Sequence, residues 1–156
     1  MRQIRSSIEE CIADAAFVSV GLTDTVEQAV AGMRHKGTHC AVVIEDNDLV
    51  GIFTESDYLN RVAIEGKAPD DTQMREVMTP NPVRLRSFDC VSYAINQMAV
   101  RGVRHLPITD PSGRTVSVLD VRLVMMHLIK VFAEIEAAPE RTASESEDEW
   151  IDIGGG

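Results

Sequence analysis

The sequence predicts a mixed α+β fold built from two copies of one β-α-β-β-α unit, and three observations predict it. Shifting the chain against itself by 65 residues sets Val18 on Val83, Asp24 on Asp89, Val26 on Val91, Ala29 on Ala94, Met33 on Met98 and Gly37 on Gly102. Self-similarity at a fixed spacing marks repeated supersecondary units. Within each copy the apolar period switches from helical to strand-like at the same place. The apolar 44% of the chain, of which little is aromatic, is mostly Val, Ile, Leu, Ala and Met, the composition of helices packed on a sheet. At 156 residues there is room for one buried core, or for two small ones that share an interface.

Each element follows from local chemistry. Residues 1–12 form a separate amphipathic helix through Ile4, Ile8, Cys11 and Ile12. The first repeat, 13–66, carries the stripe Val26, Ala29, Val30 and Met33, spaced i, i+3, i+4, i+7 as one helix face requires. Gly37 then suits a left-handed helix cap. Ala41-Val42-Val43-Ile44 reads as a buried strand, Asp46-Asn47-Asp48 as a turn, and Leu49 to Phe53 as the returning strand, with a helix after it. The polar stretch around residues 67–76 forms a linker, and Met78-Thr79-Pro80-Asn81-Pro82 leaves it extended because proline disfavours helix at the residue before it. The second repeat, 77–137, restates the pattern with Val91, Ala94, Ile95 and Met98, then Gly102, Leu106-Pro107-Ile108, Asp110-Pro111-Ser112-Gly113, Thr115 to Leu119, and a last helix from about Leu123 to Ala137. Past a one-residue insertion the offset becomes 66, so Leu49 to Phe53 falls on Thr115 to Leu119.

Charge and cysteine usage narrow the function. The net charge is -10, with no dense Lys/Arg cluster, so a phosphate-backbone footprint for nucleic acid is missing. Residues 138–156 hold six acids against Arg141 and read as an acidic, disordered tail, in which Trp150-Ile151-Asp152-Ile153 is a candidate docking peptide. Cys11, Cys40 and Cys90 are odd in number and far apart, with no metal-ligand spacing, and read as apolar residues in a reducing compartment. Neither a signal peptide nor an 18-residue apolar run is present, so the expectation is a cytoplasmic protein with no membrane partner, no metal site and no catalytic cofactor. No nucleophile is paired with a base, so an enzyme is not expected.

Three segments carry a resemblance. Leu49-Val50-Gly51-Ile52-Phe53-Thr54-Glu55-Ser56-Asp57, Val77-Met78-Thr79-Pro80-Asn81-Pro82-Val83 and Arg104-His105-Leu106-Pro107-Ile108, in that order over residues 13 to 134, resemble a tandem pair of cystathionine-beta-synthase (CBS) domains. The resemblance implies two CBS repeats packed as a pseudo-twofold pair, with an adenosine-containing ligand in a cleft between them. It implies Asp57 on ribose hydroxyls and Thr54 toward phosphate. Thr79, Asn81, Pro82 and Val83 would surround the base with Pro107 beside it, and Arg104, His105 and Arg122 would face phosphates. Such a site is chemically sensible at a strand-to-helix turn, where free N–H groups attract anions and a carboxylate accepts hydroxyl hydrogens. The other cleft departs from the pattern: Leu123 aligns with Asp57, Asp120 with Thr54, and His39 and Cys40 with Arg104 and His105. One competent nucleotide site is therefore expected.

Plainer readings stand beside these. Thr54 to Asp57 is also good N-terminal cap chemistry, His105 reads equally as a satisfied half-buried histidine, and Arg104 and Arg122 as solvated charges. Met125, Met126 and the stripe to Ile135 suit core or dimer interface. The expectation is a regulatory module that senses AMP, ADP or ATP, forms a homodimer and modulates an unidentified partner protein. The alternatives are an interaction protein with a vestigial cleft, or an S-adenosylmethionine sensor.

Overall fold

A computed structural model describes residues 6–13 and 15–137; Ile4 of the first helix and the acidic stretch 138–156 lie outside them. The chain runs α1 (Ile8–Ile12), β1 (Ser19–Val20), α2 (Val26–Lys36), β2 (Cys40–Glu45), β3 (Asp48–Thr54), α3 (Glu55–Tyr58), α4 (Met74–Val77), β4 (Thr79–Pro80), β5 (Leu85–Arg86), α5 (Val91–Arg101), β6 (His105–Thr109), β7 (Thr115–Asp120) and α6 (Val121–Ala137). The two predicted repeats are thus present as two small sheets, ordered β1-β2-β3-β4 and β5-β6-β7. In each, the short first strand pairs in parallel with the second, and the second returns antiparallel as the third.

Local rules set these boundaries. Thr25 and Gln28 cap α2 reciprocally: the Thr25 hydroxyl accepts from the Gln28 N–H at 3.3 Å, and the Gln28 carbonyl accepts from the Thr25 N–H at 2.8 Å. Both first helices stop at a left-handed glycine, Gly37 at φ 65° and Gly102 at φ 64°, where a side chain is disfavoured. The β2–β3 turn places Asp46 and Asn47 at positive φ (49° and 68°), the geometry of a tight hairpin.

The segment read as a linker holds more structure than its polarity predicts. It ends in α4, whose Met74 and Val77 are fully buried. They sit in the core of the first half with Val26, Ala29, Val43 and Phe53. The helix α1 does the reverse: Ile8 and Ile12 are buried with Leu85, Val91, Leu106 and Ile108 of the second half. Each leading helix therefore completes the other half's core. Matching backbone ties hold the exchange, with Ile8 N–H donating to Asp89 O and Met74 N–H to Asp24 O, both at 2.9 Å. A third apolar cluster, with Cys40, Val42 and Ile52 from one half and Val118 from the other, joins the two.

The closing helices differ. α6 starts at Val121, two residues before the expected Leu123, and runs unbroken to Ala137. After α3 the first half makes one π-helical stretch, Leu59–Ala63, and ends near the left-handed Gly66. Among the described residues no helix is long and apolar enough to cross a membrane.

Candidate functional site

The hairpin of each half delivers its last strand residue to the start of the closing helix, and this turn builds the site. Thr54 ends β3 and is the N-cap of α3, with Asp57 in the third helical position. The Asp57 Oδ2 accepts from the Thr54 N–H at 2.9 Å and from the Thr54 hydroxyl at 3.0 Å, while the Thr54 Oγ1 accepts from the Asp57 N–H at 3.3 Å. The capping reading of Thr54 to Asp57 therefore holds, but it occupies only one carboxylate oxygen. Oδ1 accepts from the Thr79 hydroxyl at 3.3 Å and lies 3.6 Å from the Arg61 Nε. Thr79 reaches it because β4 pairs with β3, Thr79 opposite Ile52 and Pro80 opposite Gly51. Gly51 lies directly under Met78 there: a Cβ on it would run into the Met78 Sδ, and that side chain would have to shift.

Asp57 opens onto a cleft of about 490 Å3 whose walls come from both halves: Ile52, Thr54, Ser56, Asp57 and Thr79 on one side, Gly102, Val103, Arg104 and His105 on the other, with His39 and Glu55 at the rim. That volume lies within the range of small-molecule sites. Of the residues expected from sequence, the structure brings together Thr54, Asp57, Thr79, Arg104 and His105.

It does not bring in the others. Arg122 lines a second cleft of about 460 Å3, with Lys36, Asp120 and Leu123. The reason is the pseudo-twofold, which relates Arg122 to Ser56 rather than to any residue across the first cleft. Pro107 is fully buried in β6, opposite Val118, and lines neither cleft. Asn81, at φ 48° and tied by its N–H to Val50 O at 3.0 Å, and Pro82 are also absent from the cleft wall. Val83 packs against the core of the second half.

Sequence alignment set His39 in the second cleft; the structure sets it in the first. Cys40 pairs with Thr54 across the hairpin, so His39 lies next to Glu55, and its Nδ1 is 3.0 Å from the Glu55 Oε1. The strand register was the signal that would have found both residues. His105 is held below the ordinary histidine pKa, first by burial; Asp120 and Glu55 oppose that shift and His39 and Arg104 add to it. Burial, with Asp120 and Glu55 beside it, pushes the Cys40 thiol up to about 12, so it is an unreactive thiol.

The second cleft keeps the cap and loses the acceptor. Asp120 takes the place of Thr54 and its Oδ1 accepts from the Leu123 N–H at 2.8 Å, but Leu123 supplies no oxygen where Asp57 does. Among the described residues no group of three or more His, Cys, Asp or Glu side chains is placed to hold a metal ion.

Comparison with known proteins finds the same duplication. A family model described as CBS domain matches twice, at residues 8–64 and 74–130. The chain is 38% identical over 121 residues to the CBS domain-containing protein CBSCBSPB1 of Arabidopsis thaliana, covering 77% of this chain and 22% of that relative's length. The crystal structure of the CBS domain protein NE2398 superposes with a TM-score of 0.73 at 25% identity, over 80% of this chain and 98% of that one. The CBS domain protein PAE2072 of Pyrobaculum aerophilum, solved in complex with AMP, shares the fold with a TM-score of 0.71 at 19% identity, over 82% of this chain and 99% of its own.

Proposed function

The chain belongs to the CBS domain family, with two copies accounting for most of its described residues, and on that premise we propose that it is a regulatory module that binds one adenosine-containing nucleotide, AMP, ADP or ATP, between its halves. One observation carries the reading: a carboxylate from the first half, Asp57, with one oxygen directed at the Thr79 hydroxyl, shares a cleft with Arg104 and His105 from the second. Asp57 Oδ1 accepts the ribose hydroxyls, and Thr54 and the two basic side chains bind phosphate, whose charge they meet inside an otherwise acidic protein. The AMP complex of PAE2072 supports the same ligand class.

A nucleotide bound to both walls shifts the packing of the two halves by as much as its affinity for the two arrangements differs. A partner protein reads that shift, and the module itself performs no chemistry. Two copies of the chain form the working unit, in the cytoplasm, where the thiols of Cys11, Cys40 and Cys90, none of them in a disulfide, are stable.

Titration calorimetry with AMP, ATP and S-adenosylmethionine tests the reading. Saturable heat with AMP or ATP at one site per chain is expected. Two sites per chain would contradict the assignment of Leu123 as disabling, and a response to S-adenosylmethionine alone would make the module a sensor of that compound. The second reading, an interaction protein with a vestigial cleft, is favoured by the lost acceptor in the second cleft; silence with all three ligands would establish it.

A further inference from the structure

Two carboxylates line the cleft between the halves, and they differ in how their charge is met. Asp57 lies 3.6 Å from the Arg61 Nε and accepts from Thr54 and Thr79. Glu55 has no Lys or Arg within ion-pair reach among the described residues. Its neighbour is the His39 Nδ1, 3.0 Å from Oε1, and because a carboxylate can only accept, the imidazole donates. On the facing wall Arg104 is in no ion pair among the described residues. Asp120, opposite His105 in the strand register, adds negative charge behind that wall. The cleft lining therefore offers a phosphate one permanent cation, Arg104, and sets one unbalanced anion, Glu55, at the rim.

The turn itself does not require an acid at this position. The offset that relates Thr54 to Asp120 relates Glu55 to Val121, and α6 starts at that valine as α3 starts at Glu55. The helix dipole ordinarily accounts for an acid in a first turn, but it leaves the side chain free to point into water. Here the carboxylate is turned back to His39, which the pairing of Cys40 with Thr54 sets beside it. The backbone repeats the tie, with the Glu55 N–H donating to His39 O at 3.3 Å.

We infer that Glu55 is a specificity residue of this cleft and His39 the side chain that positions it, so that the cleft takes a nucleoside monophosphate, AMP, and turns away ATP. The inference rests on the nucleotide reading and narrows it. With the ribose on Asp57, the first phosphate falls to Thr54, Arg104 and His105, whose charge it matches. Each further phosphate extends toward the rim, where the cations are already engaged and the added negative charge meets Glu55. Like charges held together in a site discriminate by repulsion as effectively as good contacts discriminate by attraction.

Titration calorimetry of the full chain with AMP and ATP tests this, in EDTA at pH 8, above the ordinary histidine pKa of about 6.5. The wild type is expected to bind AMP more tightly than ATP, and Glu55→Gln to shrink that preference by about fivefold, mainly by tightening ATP. His39→Ala is expected to shrink it in the same direction. Added to Glu55→Gln, His39→Ala should change the preference no further; a further change would mean that His39 acts on phosphate itself and would overturn its positioning role. Both side chains are exposed, so the variants should melt as the wild type does, which circular dichroism checks. A wild type that prefers ATP overturns the inference, as does a Glu55→Gln protein in which both affinities move equally. Repeating the titrations with excess Mg2+ separates a different role: ATP binding that needs Mg2+ and is lost in Glu55→Gln would make Glu55 a metal ligand and refute the repulsion. Nucleotide heat without any preference refutes the inference alone, whereas silence with both nucleotides refutes the nucleotide reading and the inference with it.

Discussion

Replacing Asp57 separates two roles that one carboxylate performs through different oxygens. Oδ2 caps α3 through the Thr54 N–H and hydroxyl, and Oδ1 faces Thr79 and the cleft. Asp57→Ala removes both. The lost cap costs about 1 kcal/mol of stability, which lowers Tm by about 2 to 4 °C for a chain of this size. The lost acceptor costs about 1.5 to 3 kcal/mol of ribose binding, because the hydrogen bonds are to a charged group, and that weakens AMP about 10- to 150-fold. Asp57→Asn retains an oxygen for the Thr54 N–H and removes the charge, so it should keep most of the Tm while still losing about tenfold in affinity. Differential scanning calorimetry reads the first quantity and titration with AMP the second. An Asp57→Ala protein that melts early but binds AMP as the wild type does would show that the carboxylate is a helix cap and nothing more.

Three further outcomes are expected. Burial holds His105 below its ordinary pKa, so the unfolded chain takes up a proton more readily than the native one; its contribution to stability is complete above about pH 6.5 and lost as pH falls through the native value. Denaturant titrations of wild type and His105→Gln should therefore diverge below about pH 6.5, the variant losing less, and equal slopes would remove His105 as the cause. Met74→Ala empties a fully buried site in the other half's core and should lower unfolding free energy by about 2 to 5 kcal/mol in chemical denaturation; a loss under 1 kcal/mol would mean that α4 is not part of that core. Gly51→Ala forces the Met78 side chain off β3 and should cost about 1 to 3 kcal/mol. Adding Met78→Ala should not add its own cost in full, and simple additivity in the double mutant would show that the two do not meet.

The duplication was legible because its residues obey strict local rules. Gly37 and Gly102 stop two helices at the same place, and Val26, Ala29 and Met33 share their spacing with Val91, Ala94 and Met98. The cleft residues Thr54, Asp57, Thr79, Arg104 and His105 were legible through the order of three motifs. Other features depend on pairing between distant strands, which no local pattern encodes. His39 reaches the first cleft only because Cys40 is in register with Thr54, and α4 has no apolar stripe of its own, since a polar stretch of Asp, Gln, Arg and Glu surrounds its two core residues, Met74 and Val77. Arg122 lines the second cleft because the offset that relates Leu123 to Asp57 relates Arg122 to Ser56, which lines the first.

The swapped leading helices mean that the unit copied in the sequence is not the unit that folds. A fragment holding the first half without α4 would leave Val26, Val43 and Phe53 uncovered, and a fragment holding the second half without α1 would leave Leu85, Val91 and Leu106 in the same state. Neither half is therefore expected to stand as an autonomous domain. Heat or denaturant should melt both together in a single cooperative step. A protease cut between residues 65 and 70 should leave the two pieces clasped, each gripping the arm of the other.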